Sequence, residues 1–522
     1  MQAYDETFDV VVVGFGFAGG ATAIAAADRG ARVLLLEKMP EPGGISICSA
    51  GGVRTTSSAK DALVYLRATN AGTAPDDLLR VLAEGMRTVG GFIEQLAAAS
   101  GAKVSHVQAD ANYPFEGFRS FGFATIADVP GFDPRRDFPH VRGLRGGARL
   151  FKVVLDNVAT RAIEVRLSCR ALELVRGPAG DVEGLVVEKG GSPRRIRASG
   201  GVVLACGGFE AARDMQIQYW QEKPVLPSAY LGNTGDGIRM AQAVGADLWH
   251  MWHYHGSYGL RHVDPRYPYG IRPTRFRDWT PGAALDPEGE IPAFFTAAQD
   301  MRMPWIVVDQ TGRRYMNEYP PYVTDTGHRP MIHFDPGTQT YPRIPSYLVT
   351  DGPAFERHAL GFPTYNDPGV DFEWSPDNRR ELELGIIKRA DSLEALAALI
   401  GAEVARLRET IERWNRLCQQ SRDEDHGRES WSMAVLSGPP FYAAEVWPTV
   451  ANTQGGPIHD SRQRVLNAHG TPIGGLFAAG EIGSVFGHLY LSGGNLAECF
   501  IGGRIAGAEA AARARTAPPC AE

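Results

Sequence analysis

The stretch VVVVGFGFAGGATAIAAADRGARVLLLEK (residues 10–38) constrains the fold more than any other part of the chain. Four valines read as a buried strand, and a Gly-x-Gly-x-x-Gly turn follows. An alanine-rich helix and a second apolar strand ending at Glu37 complete a βαβ unit. Gly14 is required for the tight turn, Gly16 for close approach of a pyrophosphate to the backbone, and Gly19 for helix–strand contact. The helix N-terminus then faces the phosphates with unpaired amides and a positive dipole end. Glu37, 18 residues after Gly19, is placed to accept hydrogen bonds from a ribose.

A chain of 522 residues exceeds one ordinary core and predicts two or three domains. The formal net charge of -7, with no run of Lys and Arg, argues against nucleic acid as a partner. Six cysteines without a Cys-x-x-Cys pair predict reduced thiols and no metal cluster. The start MQAYDETFDVVVVG is acidic where a secretion signal is basic. No apolar run approaches the roughly 18 residues of a membrane helix. These features predict a cytoplasmic protein without a membrane span.

Two further strand-and-turn segments, ASGGVVLACGGFE (198–210) and GTPIGGLFAAGEIGS (470–484), end in glycines as the first does. The loop KMPEPGGISICSAGGV carries two glycine pairs, entropically unfavourable unless a ligand lies against its backbone. Three such strand ends from both ends of the chain must share one sheet, so the nucleotide domain is discontinuous. The predicted fold is α/β: a Rossmann-like domain formed by 1–249 and 440–522, with an inserted α+β cap over 250–439. The cap is aromatic, basic and proline-rich at its start, and its SLEALAALIGAEVARLRETIERWNRLCQQ has helical spacing broken near Gly401. Substrate sites favour such domain boundaries.

In the tail, GHLYLSGGNLAECF (487–500) places Tyr490 and Ser492 just before the amides of Gly493, Gly494 and Asn495, where a glycine pair opens a helix. The plain alternatives are that Tyr490 packs against a flat ring and Ser492 caps the helix. His250, His253 and His255 have a spacing open to metal binding, but no acid completes a ligand set and an aromatic pocket wall explains them better. Arg272, Arg275 and Arg277 in RPTRFRDW are candidates for a substrate carboxylate.

With these motifs in hand, the chain resembles the flavoprotein superfamily of fumarate reductases, succinate dehydrogenases and 3-ketosteroid dehydrogenases. The resemblance is carried by VVVGFGFAGG, LLEK, PGGIS, VVLACGGFE, NTGDGIRMAQAVGA, GRRYMNE and GGLFAAGEIG…SGGNLAECFIGGRIAG, which span almost the full length. It implies FAD, bound by Gly14, Gly16, Phe17, Ala18 and Gly19 in the first turn, and by Glu37 and Lys38 after the second strand. In the glycine-rich loop it implies Gly43, Gly44, Ser46, Ser49, Gly51 and Gly52, and further along Ala171, Cys206, Gly207, Gly208, Asn233 and Asp236. In the tail it places Gly480 and Glu481 at the ribityl chain, with Gly493 and the Asn495 and Leu496 amides near the flavin O2. Relatives with covalent flavin carry a histidine after the first loop; GGISICS has none, which implies non-covalent FAD.

Fumarate reductases carry an arginine in the tail where this chain has Tyr490 and Leu491, and a neutral hydroxyl does not replace a guanidinium for a carboxylate. The tail is closer to the 3-ketosteroid dehydrogenases, in which a tyrosine and an amide four residues on hold the C3 carbonyl oxygen: here Tyr490 and Gly494. The Tyr-x-Ser of the 4,5-desaturating (5α) branch is matched by Tyr490 and Ser492. Tyr322, the last residue of RRYMNEYPPY, stands at the proton-abstracting position, and Tyr113 is a candidate pocket wall. This implies a desaturase of cyclic ketones, either 3-ketosteroids or oxocyclohexanes such as 4-oxocyclohexanecarboxylate, with hydride passing to flavin N5. The alternatives are a fumarate-reductase-like reductase of an activated double bond and a flavin-binding regulatory or structural subunit. No motif specifies the electron acceptor or the oligomeric state. A phenol of ordinary pKa about 10 must ionise to act as base, at a cost of about 4 kcal/mol at neutral pH. Arg313, Arg314 and Arg329 are the nearest cations in sequence. Activity is therefore expected to rise toward alkaline pH, and a rate profile flat from neutrality to above about 9 contradicts a tyrosine base.

Overall fold

The structure is a computed structural model that describes residues 3–221, 224–274, 305–319, 322–357 and 359–516. Among them, the central sheet of the cofactor domain contains five parallel strands in the order Pro472–Ala478, Ser192–Leu204, Glu6–Val13 (β1), Val33–Leu36 (β2) and Ile163–Arg166. β1 and β2 are apolar on both faces because helices cover one side and an antiparallel extension the other, as expected of a buried parallel sheet. The helix Phe17–Ala27 (α1) lies between these strands and packs against the C-terminal helix Gly494–Thr516 (α2). This contact depends on small residues: a Cβ on Gly503 would stand 2.7 Å from the Ala18 carbonyl oxygen, and one on Gly507 2.3 Å from that of Thr22.

A second, mixed sheet forms the cap. Its antiparallel core runs Trp305–Val308, Ser346–Asp351, Phe441–Thr453 and Tyr254–Arg261. The domain boundary expected at 439/440 is thus corrected: Phe441–Thr453 is a central strand of the cap sheet, and the chain re-enters the cofactor domain after it. The sequence GPPFYAAEV reads as strand, but an antiparallel cap strand and a cofactor-sheet strand share that pattern. The helical region of the cap is two helices, Leu393–Ile400 and Val404–Gln419, separated at Gly401, whose φ of +72° ends the first. A third sheet, Val53–Thr56, Phe121–Asp128 and Lys103–Gln108, lies against the helix Asp76–Ala99. Among the described residues no helix is long and apolar enough to cross a membrane.

A side chain at Gly19 is excluded, since its Cβ would stand 1.8 Å from the Gly14 carbonyl oxygen. Gly19→Ala is therefore expected to lose about 3 kcal/mol of stability and to purify with little flavin. Denaturant unfolding and the ratio of flavin to protein absorbance check this.

Candidate active site

The strand ends converge on a cleft. Its lining includes Gly14, Gly16, Phe17, Ala18, Glu37, Lys38, Gly44, Ser46, Ala171, Cys206, Gly207, Asn233, Asp236 and Glu481. Gly43, Ser49, Gly51 and Gly52 shape the adjoining loop instead: Gly51 has φ +74° and its Cβ would meet the Gly146 backbone at 2.2 Å. Gly208 and Gly480 likewise allow close packing, against Thr453 and Ala18. Glu37 accepts the amides of Phe15 (3.0 Å) and Met39 (2.9 Å), and burial raises its pKa. Each of its oxygens retains a lone pair for a ligand hydroxyl. Lys38 is held by Thr234 (2.7 Å) and Asp236 (3.1 Å) at the side of the cleft.

Glu481 lines the cleft and shares one buried environment with a second carboxyl, Glu210. Asn233 donates to Glu210 at 2.6 Å and to Glu481 at 3.4 Å, and the Thr453 amide donates to Glu481 at 2.9 Å. Burial and mutual repulsion push Glu210 well up, and burial raises Glu481 to about 7, so the pair holds a proton at neutral pH. Glu210 Oε2 is buried without a partner among the described residues. Glu37 and Glu481, both lining a cleft with a glycine turn, offer the acceptors that the sugar hydroxyls of a dinucleotide need.

Beyond the cleft the structure gathers Tyr113, Tyr322 and Tyr490, from three distant parts of the chain. Tyr113 and Tyr322 meet edge-on with ring centroids 6.2 Å apart, and Tyr322 and Tyr490 stack at 6.5 Å. All three are buried. Tyr113 donates its proton to Asp325 Oδ2 at 2.5 Å, and the Tyr490 amide donates to the same oxygen at 3.0 Å. Burial opposes ionisation of Asp325, but His253, His255 and Arg329 outweigh it and hold its carboxyl at about 2. Burial and this anion raise the Tyr113 phenol far above its ordinary value, so Tyr113 stays protonated. Tyr490 differs: its oxygen accepts a long 3.4 Å contact from the Asn495 amide, which leaves its own proton for another acceptor. His255 packs 4.2 Å from the Tyr490 ring; its Nδ1 is 2.9 Å from Asn452, and burial lowers its pKa to about 4.

Arg54 and Asp325 carry no sequence motif, yet both are central. Arg54 is 1 % exposed and makes no ion pair among the described residues. Its Nε donates to the Ser492 carbonyl at 2.7 Å, its Nη1 to the Ala109 carbonyl at 3.0 Å, and its amide to the Gly493 carbonyl at 3.2 Å. Two carbonyls before α2 are thereby turned toward Arg54. Burial lowers the guanidinium pKa to about 10, while Tyr65, Tyr322 and Tyr490 favour its charge. The available signal was an arginine inside the short strand Val53–Thr56, at a buried register position.

Three expectations change. The Gly494 amide, expected to face a ketone oxygen, donates to the Leu491 carbonyl at 2.7 Å, because the chain turns tightly from Leu491 into α2. The Ser492 backbone is fixed by Asn112 and Arg54, while its hydroxyl makes no hydrogen bond among the described residues. The expected cation field of Arg313, Arg314 and Arg329 is replaced mainly by Arg54: Arg313 is exposed, and Arg314 is paired with Glu318 and Asp423. Arg329 remains close, bonded to the His488 carbonyl at 2.5 Å. The three histidines face different partners: His250 the Ser484 and Thr73 carbonyls, His253 the Phe486 carbonyl and His255 Asn452. Arg272 lies on the strand Gly270–Pro273, and its charge opposes protonation of His255. Arg275 and Arg277 lie outside the described residues. Gly493 and Asn495 shape the start of α2, where Asn495 Nδ2 donates to Glu498 at 2.8 Å and the neighbouring Leu496 is half-buried.

A parallel sheet with a dinucleotide cleft, covered by a cap that adds buried hydroxyls, defines an FAD-dependent oxidoreductase. The chain belongs to the FAD binding domain family, whose model matches residues 9–262 and 278–496. It is 27% identical over 514 residues to a fumarate reductase (cytochrome) of Shewanella frigidimarina, covering 98% of this chain and 78% of that protein. It is also 27% identical over 580 residues to a 3-oxosteroid 1-dehydrogenase of Mycobacterium tuberculosis, covering 93% and 94%. The fold is shared with the 3-ketosteroid delta1-dehydrogenase of Sterolibacterium denitrificans, solved with 1,4-androstadiene-3,17-dione: TM-score 0.78, 22% identity, 97% of this chain and 100% of that one.

Arg54→Met leaves the Ser492 and Ala109 carbonyls without their charged donor. It is expected to destabilise the protein by about 3 kcal/mol, two hydrogen bonds from a charged group. Chemical denaturation of the purified variant measures this, and unchanged stability would remove Arg54 as the brace of the tail loop.

Proposed function

We propose that the protein is an FAD-dependent dehydrogenase that introduces a double bond beside the carbonyl of a cyclic ketone, a 3-ketosteroid or an oxocyclohexane. The observation that carries this reading is the buried Tyr490 hydroxyl, its proton uncommitted, at the N-terminus of α2 beside Tyr322 and Arg54. The similarity to a 3-oxosteroid dehydrogenase over nearly the whole of both chains supports it.

Desaturation removes a proton from the α-carbon and a hydride from the β-carbon. The α-carbon is a poor acid unless its carbonyl oxygen gains negative charge against fixed donors. Tyr490 supplies one such donor and Ser492 a second, each contributing about 3 kcal/mol in a site closed to water. The dipole of α2 favours the same charge. Gly494 joins them only by giving up its turn to Leu491. Tyr322 takes the α-proton, and the Arg54 charge favours its phenolate; Tyr113, pinned to Asp325, is excluded as base. A bound FAD supplies the acceptor for the hydride. The glycine-rich loop has no histidine, and burial pushes up the pKa of its one thiol, Cys48, which supports non-covalent binding of the cofactor.

The fumarate-reductase-like reading draws on Arg54, a cation without a carboxylate partner among the described residues. Its Nε and Nη1 already serve backbone carbonyls, so the fork that grips a carboxylate through two parallel bonds is not available. A ketone oxygen needs no such fork.

Bleaching of the flavin by a panel of 5α-3-oxosteroids and substituted cyclohexanones, with an artificial electron acceptor for turnover, tests the proposal. Tyr490→Phe is expected to lower kcat/KM about 100- to 1000-fold and Ser492→Ala less. Bleaching of the Tyr490→Phe flavin as fast as that of the wild type contradicts the assignment. With respect to pH, the base must lose its proton and Arg54 must keep its own. Activity should therefore rise with pH and fall again above about 10, where Arg54 discharges.

A further inference from the structure

Two buried carboxyls, Glu210 and Glu481, meet at the wall of the cofactor cleft. Glu210 is 0 % exposed, and its backbone is held by Gln216, whose Nε2 donates to the Glu210 carbonyl at 2.6 Å. Glu210 Oε1 accepts Asn233 Nδ2 at 2.6 Å, and the same Nδ2 stands 3.4 Å from Glu481 Oε2. Glu481 Oε1 takes the Thr453 amide at 2.9 Å and the Thr453 hydroxyl at 3.3 Å. Both carboxyls crowd one glycine: a Cβ on Gly208 would stand 2.6 Å from Glu481 Oε1 and 3.1 Å from Glu210 Oε2. Of the four oxygens, Glu210 Oε2 meets no donor among the described residues. An ionised Glu210 leaves that oxygen sealed from water with nothing to bond. A protonated Glu210 turns its hydrogen to Glu481, which lies within hydrogen-bonding reach. Burial first, then the Glu481 charge and this bond, hold the proton on Glu210, and the same bond favours the Glu481 carboxylate.

The groups around the pair supply no counter-charge. Tyr230 is within electrostatic reach of Glu210, and Cys499 and Glu498 of α2 are within reach of Glu481. Burial keeps the phenol and the thiol protonated. Glu498, raised to about 7 by burial, accepts the Ser484 hydroxyl, the Val485 amide and Asn495 Nδ2, each at 2.8 Å. Its charge, once formed, opposes loss of a proton from the pair. Lys38 and Arg170, the cations of the cleft lining, are both engaged by Asp236 at 3.1 Å.

We propose that Glu210 and Glu481 share one proton that the bound FAD requires, so that loss of this proton releases the cofactor. This rests on non-covalent binding of FAD and on no assumption about the substrate. Glu481 lines the cleft. In the protein without cofactor, water reaches that side and tempers a second negative charge on the pair. A dinucleotide in the cleft displaces the water and brings the negative charge of its own pyrophosphate, so a second carboxylate becomes more unfavourable. The pair therefore binds its proton more tightly with FAD than without it. FAD affinity is then full while the pair keeps the proton, and falls as the pH rises through the range in which the cofactor-free site loses it. Glu210 is a positioning residue that acts through Glu481.

The experiment is release of FAD from the diluted holoenzyme, read as regained flavin fluorescence across the pH range in which the protein stays folded. The wild type should hold FAD at neutral pH and, on the alkaline side, lose affinity by about tenfold for each pH unit while the proton is leaving. Glu210→Gln offers Glu481 a neutral donor of the same shape and keeps an acceptor for Asn233. It should retain the neutral-pH affinity and lose the alkaline slope. Wild-type affinity that is flat with pH overturns the proposal, as does a Glu210→Gln protein with the wild-type slope. If Glu210→Gln does not fold, the wild type decides by a second measurement: calorimetry of FAD binding to stripped protein at alkaline pH, in two buffers of different ionisation enthalpy, should show uptake of about one proton. Uptake near zero overturns the shared proton. Flavin that stays with acid-precipitated protein removes the non-covalent reading, and the release with it, whereas FAD that leaves without regard to pH removes the shared proton alone.

Discussion

One carboxylate oxygen, Asp325 Oδ2, joins three parts of the chain that are far apart in sequence. It receives the hydroxyl of Tyr113 from the first cofactor segment and the amide of Tyr490 from the tail, while Asp325 itself stands on the cap helix Val323–Thr326. In a buried setting such bonds to an ionised group are strong, and leaving the charge without them is strongly unfavourable. The cap and the two cofactor segments are therefore fixed relative to one another at the point where the tyrosines meet. The spacing of the three rings, and with it any chemistry between them, depends on this tie.

A second buried charge of opposite sign, Arg54, lies close enough to the cluster that Tyr65, Tyr322 and Tyr490 favour it. Tyr113 gives its proton to an anion and is held neutral. Tyr490 accepts an amide and keeps its proton for a ligand oxygen. Tyr322 is the phenol proposed as base, and it is among the tyrosines that favour the Arg54 charge. In the proposed mechanism three chemically identical side chains take different roles from the position of two charges, neither of which belongs to a recognisable motif.

Much of the cofactor half was legible because glycine leaves a strong trace. The turn at Gly14, the close contact at Gly19 and the helix opening at Gly493 and Gly494 each require a residue without a side chain, so the pattern survives in the sequence. The strand Phe441–Thr453 lies in the cap sheet, beyond the boundary expected at 440, because an apolar strand does not state its partners; pairing is a long-range property. Asp325 and Arg54 escaped for a similar reason. Their importance comes from what the fold places around them, and a lone acid in YVTDTG or a lone arginine in GGVRTT has no neighbours in sequence to announce it. Gly494 shows a further limit: register identified the residue, but the turn at Leu491 decided where its amide points.

The central claim is that the site is built to hold a negatively charged ketone oxygen against the Tyr490 hydroxyl. Binding of a rigid phenolate, which mimics the enolate in charge and shape, measures this without turnover. Calorimetry on the oxidised holoenzyme should show the phenolate bound about 100-fold more tightly than the matching cyclohexanol, with most of that preference lost in Tyr490→Phe. Equal affinity for the two ligands, or a preference that survives the loss of the Tyr490 hydroxyl, would contradict the account.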